Sequence, residues 1–207
     1  MKKSILILAL AIGSLATAQK GTVLVAGSLQ IYNYKTNHSN SQNVSNQFSI
    51  SPKIGYQFDE HWTVGAQVSA SKLKTENSSS SSVNSITYTT NQKEFDAGAF
   101  IRYSEPLSEL FTLYGDLGAG FRTAKTENQL FNTLDPTNNF DESSKGKGIY
   151  VGLEPAIQVN IKKRFCLNFG FGGLRYETLK YTNDGGDTKQ LYVTFGQSFN
   201  IGISKNF

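Results

Sequence analysis

Leu191 to Phe207 reads LYVTFGQSFNIGISKNF. Every second residue counted back from the end gives Phe207, Lys205, Ile203, Ile201, Phe199, Gln197, Phe195, Val193 and Leu191, mostly apolar. The residues between them are Asn206, Ser204, Gly202, Asn200, Ser198, Gly196, Thr194 and Tyr192. A period of two puts an apolar and a polar face on one extended strand. The run is about three times the length of an ordinary globular strand, so its environment must reward alternation to the last residue.

The same alternation recurs upstream and predicts eight strands, over 22–34, 47–58, 62–71, 93–103, 110–122, 148–160, 165–175 and 191–207. Phe48, Ile50, Ile54, Tyr56 and Phe58 share one face of the second; Trp62, Val64 and Val68 mark the third; Phe95, Ile101 and Tyr103 the fourth. Phe111, Leu113, Leu117 and Phe121 follow in the fifth, and Ile149, Val151, Leu153 and Ile157 in the sixth. Phe165, Leu167 and Phe169 keep the phase in the seventh until Gly172-Gly173, which predicts a bulge that shifts it. Connections alternate too. Asp59–His61, Ser104–Glu109 and Ile161–Arg164 are short, whereas 35–46, 72–92, 123–147 and 176–190 read as long polar loops. Short turns on one side and long loops on the other describe an antiparallel up-and-down transmembrane β-barrel, with periplasmic turns and extracellular loops.

The N-terminus agrees with export. Lys2-Lys3, an apolar stretch from Ile5 to Leu15 and Ala16-Thr17-Ala18 have the order of a secretory signal peptide. Residues 1–18 are therefore expected to be removed, leaving 19–207 as one barrel domain. Losing two lysines and no acids takes the formal charge from +4 to +2. No Lys/Arg cluster interleaved with aromatics suggests a nucleic-acid partner, and the single cysteine, Cys166, excludes an internal disulfide.

Which face is wet follows from composition. The polar face is rich in Gly, Ser, Asn, Gln and Thr and poor in Lys and Glu, unlike a soluble exterior. It suits a narrow lumen packed by side chains. Lys53, Asp96, Arg102, Asp116 and Glu154 then point inward and are expected to form a network of salt bridges and hydrogen bonds. Tyr56, Phe58, Trp62, Tyr103, Phe111 and Phe165 fall near the short turns as a periplasmic aromatic girdle.

These strands, the export signal and the terminal Phe resemble the OmpA/OmpX-type outer-membrane β-barrel family, whose members are often described as porin-family or outer-membrane β-barrel domain proteins. The resemblance covers 19–207 without the peptidoglycan-binding domain of some OmpA-like proteins. It implies residence in the cell outer membrane among its lipid. It also implies handling by the barrel-assembly machinery, to which Phe199, Ile201, Ile203 and Phe207 resemble the C-terminal signal; Lys205 departs from that pattern. The family includes structural barrels, adhesins, resistance factors and a few lipid-modifying enzymes.

Candidate chemistry is sparse, and no catalytic, cofactor or metal site is expected. His38 and His61 fall at opposite ends of the barrel, too far apart for a shared metal. His38-Ser39-Asn40-Ser41 holds a base and a nucleophile, but no third group to orient the base is evident. Asn183-Asp184-Gly185-Gly186-Asp187 has the composition of a tight turn. The expected role is non-enzymatic, structural or surface-binding through the four loops. An outer-leaflet enzyme acting on lipid A, with His38 and Glu127, Asp135, Asp141 or Glu142, is one alternative; a narrow pore is another.

Overall fold

A computed structural model describes residues 21–162, 165–182, 186–195 and 200–206. The expected signal peptide, Phe199 and Phe207 lie outside the described residues. Ten strand segments follow one another: β1 Thr22–His38, β2 Ser41–Gln57, β3 Trp62–Ser80, β4 Ser85–Pro106, β5 Phe111–Asn132, β6 Phe140–Lys162, β7 Phe165–Gly170, β8 Leu174–Tyr181, β9 Asp187–Val193 and β10 Asn200–Asn206. They form eight staves, because β7 and β8 pair in turn along β6, with β10 and β9 as their respective partners on the other side. Every neighbouring pair is antiparallel. The ladder of Leu24–Ser28 on β1 with Gly202–Asn206 on β10 closes the barrel.

Parity decides which side chains meet lipid. Along β5 the odd positions Phe111, Leu113, Leu117, Ala119 and Phe121 are exposed, while Thr112, Tyr114, Asp116 and Gly118 are buried in the lumen. The same rule holds along β3 and β4. At the break 171–173 between β7 and β8 the phase shifts, with Phe165 outward before it and Leu174 and Tyr176 outward after it. Gly172 supplies the left-handed backbone there, φ +85°, and a Cβ on it would sit 2.0 Å from the Thr194 carbonyl oxygen.

The loops differ from the sequence reading. Most of 35–46, 72–92, 123–147 and 176–190 is strand: β1 runs to His38, β3 to Ser80, β5 to Asn132 and β8 to Tyr181. Tyr88, Phe131, Phe140 and Tyr181, which fall in those stretches, therefore lie in strands. These stretches lack apolar alternation because water bathes them, so only the hydrogen-bond ladder marks them as strand. The 22 residues of β5 rise about 70 Å along the strand. Tilted by about 40°, that gives roughly twice the height of the apolar band, which is about 25 Å. Hairpins thus project well beyond the bilayer. Two of their tips are joined, with the Ser85 backbone N–H donating to Thr133 Oγ1 at 2.9 Å and the Leu134 N–H to Asn84 Oδ1 at 3.3 Å. The last predicted strand is likewise two segments, β9 and β10, rather than one from 191 to 207.

Close approach of staves requires Gly148 on β6. A Cβ there would lie 1.6 Å from the Thr178 carbonyl oxygen of β8. Gly148→Ala is expected to force the two staves apart and lower stability by about 1–3 kcal/mol, measured as a lower midpoint in denaturant titration of the refolded barrel.

Candidate functional site: the lumen

The inward face carries two tiers of ions. In the tier nearer the short turns, Arg102 on β4 stands directly opposite Asp116 on β5 and donates twice, Nε to Oδ1 at 2.6 Å and Nη2 to Oδ2 at 2.9 Å. Bidentate guanidinium–carboxylate pairing of this kind holds orientation as well as charge. Asp116 also stands opposite Glu154 on β6. Two carboxylates in that position repel. Lys53 resolves the conflict by reaching across the lumen from β2, its Nζ 3.0 Å from both Asp116 Oδ2 and Glu154 Oε2. Tyr114 lies under the Arg102 guanidinium at 3.7 Å from ring centroid to Cζ.

Farther from the turns, Asp96 on β4 stands opposite Arg122 on β5. Asp96 accepts from Arg122 Nη1 at 3.2 Å and, across the lumen, from Arg175 Nη2 of β8 at 2.7 Å. Arg175 Nε donates to Glu177 at 2.9 Å, and Arg122 Nη2 lies 2.7 Å from Glu94. Tyr150 stacks beneath Arg175 at 4.3 Å and accepts from Gln67 Nε2 at 3.0 Å. Between the tiers, Phe100 is only 2% exposed. Its row reads Gly55, Gly65, Phe100, Gly118, Gly152 across five staves, so glycines on both sides leave the ring its room. A cavity of about 570 Å³ remains among these side chains, bordered by β1 and β2 from Gln30 and Gln47 down to Lys53.

The five charged residues expected inside are thus divided. Lys53, Arg102, Asp116 and Glu154 make one cluster, and Asp96 belongs to the other. Sequence reasoning missed Arg122, Arg175, Glu177 and Glu94. Glu177 falls in the predicted loop 176–190, and Arg122 at the end of the predicted strand 110–122. A signal existed: Arg102 with Asp116, and Asp96 with Arg122, are each symmetric about Glu109 in the short turn, the register of a β4–β5 hairpin.

Outside the barrel, Tyr56, Phe58, Trp62, Tyr103, Phe111 and Phe165 all lie exposed near the short turns. Trp62 packs edge-on against Tyr103 with ring centroids 5.0 Å apart. Ile203 faces outward on β10; Ile201 is in the same strand. His38 ends β1 opposite Ser41, and among the described residues it has no hydrogen bond or ion pair to Glu127, Asp135, Asp141 or Glu142. Three of those carboxylates are engaged otherwise: Glu127 with Lys125 and Lys93, Asp135 as cap of the 3₁₀ turn Pro136–Asn138, and Asp141 as acceptor from Gln129 at 3.0 Å. No group of three His, Cys, Asp or Glu that could hold a metal occurs among the described residues.

Comparison with solved structures finds small outer-membrane barrels. The chain is 18% identical to Ail, the attachment invasion locus protein of Yersinia pestis, over 91% of this chain and 100% of that one, with a TM-score of 0.38. Neisserial surface protein A is 15% identical over 90% and 97%, with a TM-score of 0.43. For the outer membrane protein OprG from Pseudomonas aeruginosa the identity is 12% over 91% and 96%, with a TM-score of 0.47. No curated protein matches the chain. The family described as outer membrane protein beta-barrel domain matches residues 4–199. With eight antiparallel staves, a lipid-type exterior and an ion-paired interior already evident, the chain belongs to the outer membrane protein β-barrel domain family.

Proposed function

We propose that this outer-membrane barrel is non-enzymatic, a rigid frame that presents its projecting hairpins at the cell surface and whose lumen is closed to bulk ion flow. The supporting observation is the pair of cross-lumen ties, Lys53 to Asp116 and Glu154 at one level and Arg175 to Asp96 at another. Paired ions of this kind hold one another in place in a narrow interior. The cavity beside them is lined by charged side chains of both tiers. Planar-bilayer recordings of the refolded chain are expected to show no large stable conductance; a large stable conductance would establish the pore instead. Against catalysis on lipid A stands the isolation of His38 from the carboxylates that would orient it. Lipid A from cells expressing wild type and His38→Ala should be identical to that of cells lacking the protein, and a modification made by wild type alone would establish an enzyme.

A further inference from the structure

Lysines occupy the outward face just beyond the apolar band, and the ladder sets them side by side. Lys72 on β3 stands directly opposite Lys93 on β4, Lys93 opposite Lys125 on β5, and Lys125 opposite Lys145 on β6. Two residues nearer the short turns on β6, Lys147 stands opposite Lys180 on β8. Their parity is that of the lipid-facing residues. Phe95 lies two residues from Lys93 on β4, Phe121 four from Lys125 on β5, and Ile149 two from Lys147 on β6, all exposed.

Like charges directly opposite on neighbouring strands destabilise a sheet, and a row of four needs compensation. Glu127 supplies some of it: it accepts from Lys125, lies 3.8 Å from Lys93, and its carboxyl is held below the usual range by the Lys125 hydrogen bond and the charges of both lysines. Among the described residues no carboxylate lies within ion-pair distance of Lys72, Lys145 or Lys147, and Lys180 has Asp187 at 3.9 Å. The other border of the apolar band carries both signs, with Asp59, Glu60, Glu105 and Glu109 around two short turns and Lys162 and Lys205 placed opposite Phe165 at the third. Lysines that merely stretch toward water have no need to stand side by side, so the unbroken row of four calls for an anion that they share.

We propose that the row Lys72, Lys93, Lys125 and Lys145 binds the phosphate groups of outer-leaflet lipid headgroups, with the acyl chains lying over the strip of Phe95, Phe121 and Ile149. The inference rests on the outer-membrane reading, with the projecting hairpins outside. Charge complementarity and continuity with the lipid-facing band select this occupant. Neighbouring strands are about 4.8 Å apart, so the row spans about 14 Å, wide enough for a headgroup with two phosphates. Each ammonium then has a phosphate oxygen as charge-assisted partner in place of a like-charged neighbour.

The test uses the full chain refolded into phosphatidylcholine vesicles with or without lipid A, and reads the unfolding midpoint from heat-dependent electrophoretic mobility. Lipid A is expected to raise the wild-type midpoint by about 5 °C. The rise should disappear with dephosphorylated lipid A and in the combined variant Lys72→Gln, Lys93→Gln, Lys125→Gln, Lys145→Gln, and persist in the corresponding Lys→Arg variant. An equal rise with dephosphorylated lipid A overturns the proposal without reliance on any variant, as does an unchanged rise in the Gln variant. A barrel that inserts and ignores phosphate overturns this inference alone. Wild type showing no heat-dependent shift in any vesicle overturns the outer-membrane reading itself.

Discussion

Asp116→Ala is expected to destabilise the barrel by about 3–5 kcal/mol, the cost of removing one partner from a buried ionic cluster. Asp116 is the shared acceptor of Arg102 and Lys53, and its side chain and that of Arg102 are each only 4% exposed. Removing it leaves a guanidinium without its bidentate partner in a lumen too crowded for full hydration. Lys53 retains Glu154, at the same 3.0 Å. Equal distance does not mean equal worth. The Glu154 side chain is 62% exposed, so water screens its pair with Lys53, and Glu154→Ala should cost less than about 1 kcal/mol. Parallel urea titrations of the refolded variants check the contrast. Equal losses for the two would show that the lower tier is held by Lys53 rather than by the Arg102–Asp116 pair.

Leu117→Arg carries the second large effect. Leu117 is half exposed at the middle of the outward face of β5, between Ile101 of β4 and Leu153 of β6. A basic side chain there has no lumenal partner and must reach past lipid, at a cost of about 2–4 kcal/mol near the midplane of the bilayer. Thr123, outward on the same strand beside Phe95, is near the headgroup border. Thr123→Arg should therefore cost only about 0–1 kcal/mol. Folding yield and denaturation midpoint in vesicles measure both. A mild Leu117→Arg with a severe Thr123→Arg would mean that the bilayer sits elsewhere along the barrel. That outcome would also detach the lysine row from the headgroups.

Alternation alone assigns residues such as Phe121 and Asp116 to their faces, because the direction of a side chain on a strand depends only on its neighbours in the chain. Alternation does not place Glu177, because the strand continues past the apolar band, where both faces are wet and the pattern carries no information. The phase shift at Gly172-Gly173 was visible because glycine is needed for a left-handed backbone.

Local pattern therefore sufficed for an all-β barrel and for which residues of a strand share a face. Tertiary structure decided which charges meet. Lys53 finds Glu154 101 residues away, and Arg175 finds Asp96 79 residues away, contacts that exist only once the sheet has curled and closed through β1 and β10. It also decided that Lys72, Lys93, Lys125 and Lys145 form one row. Each lysine is unremarkable within its own strand. Register between strands is set by the turns and the closure together, so their adjacency is a property of the barrel and of no single segment.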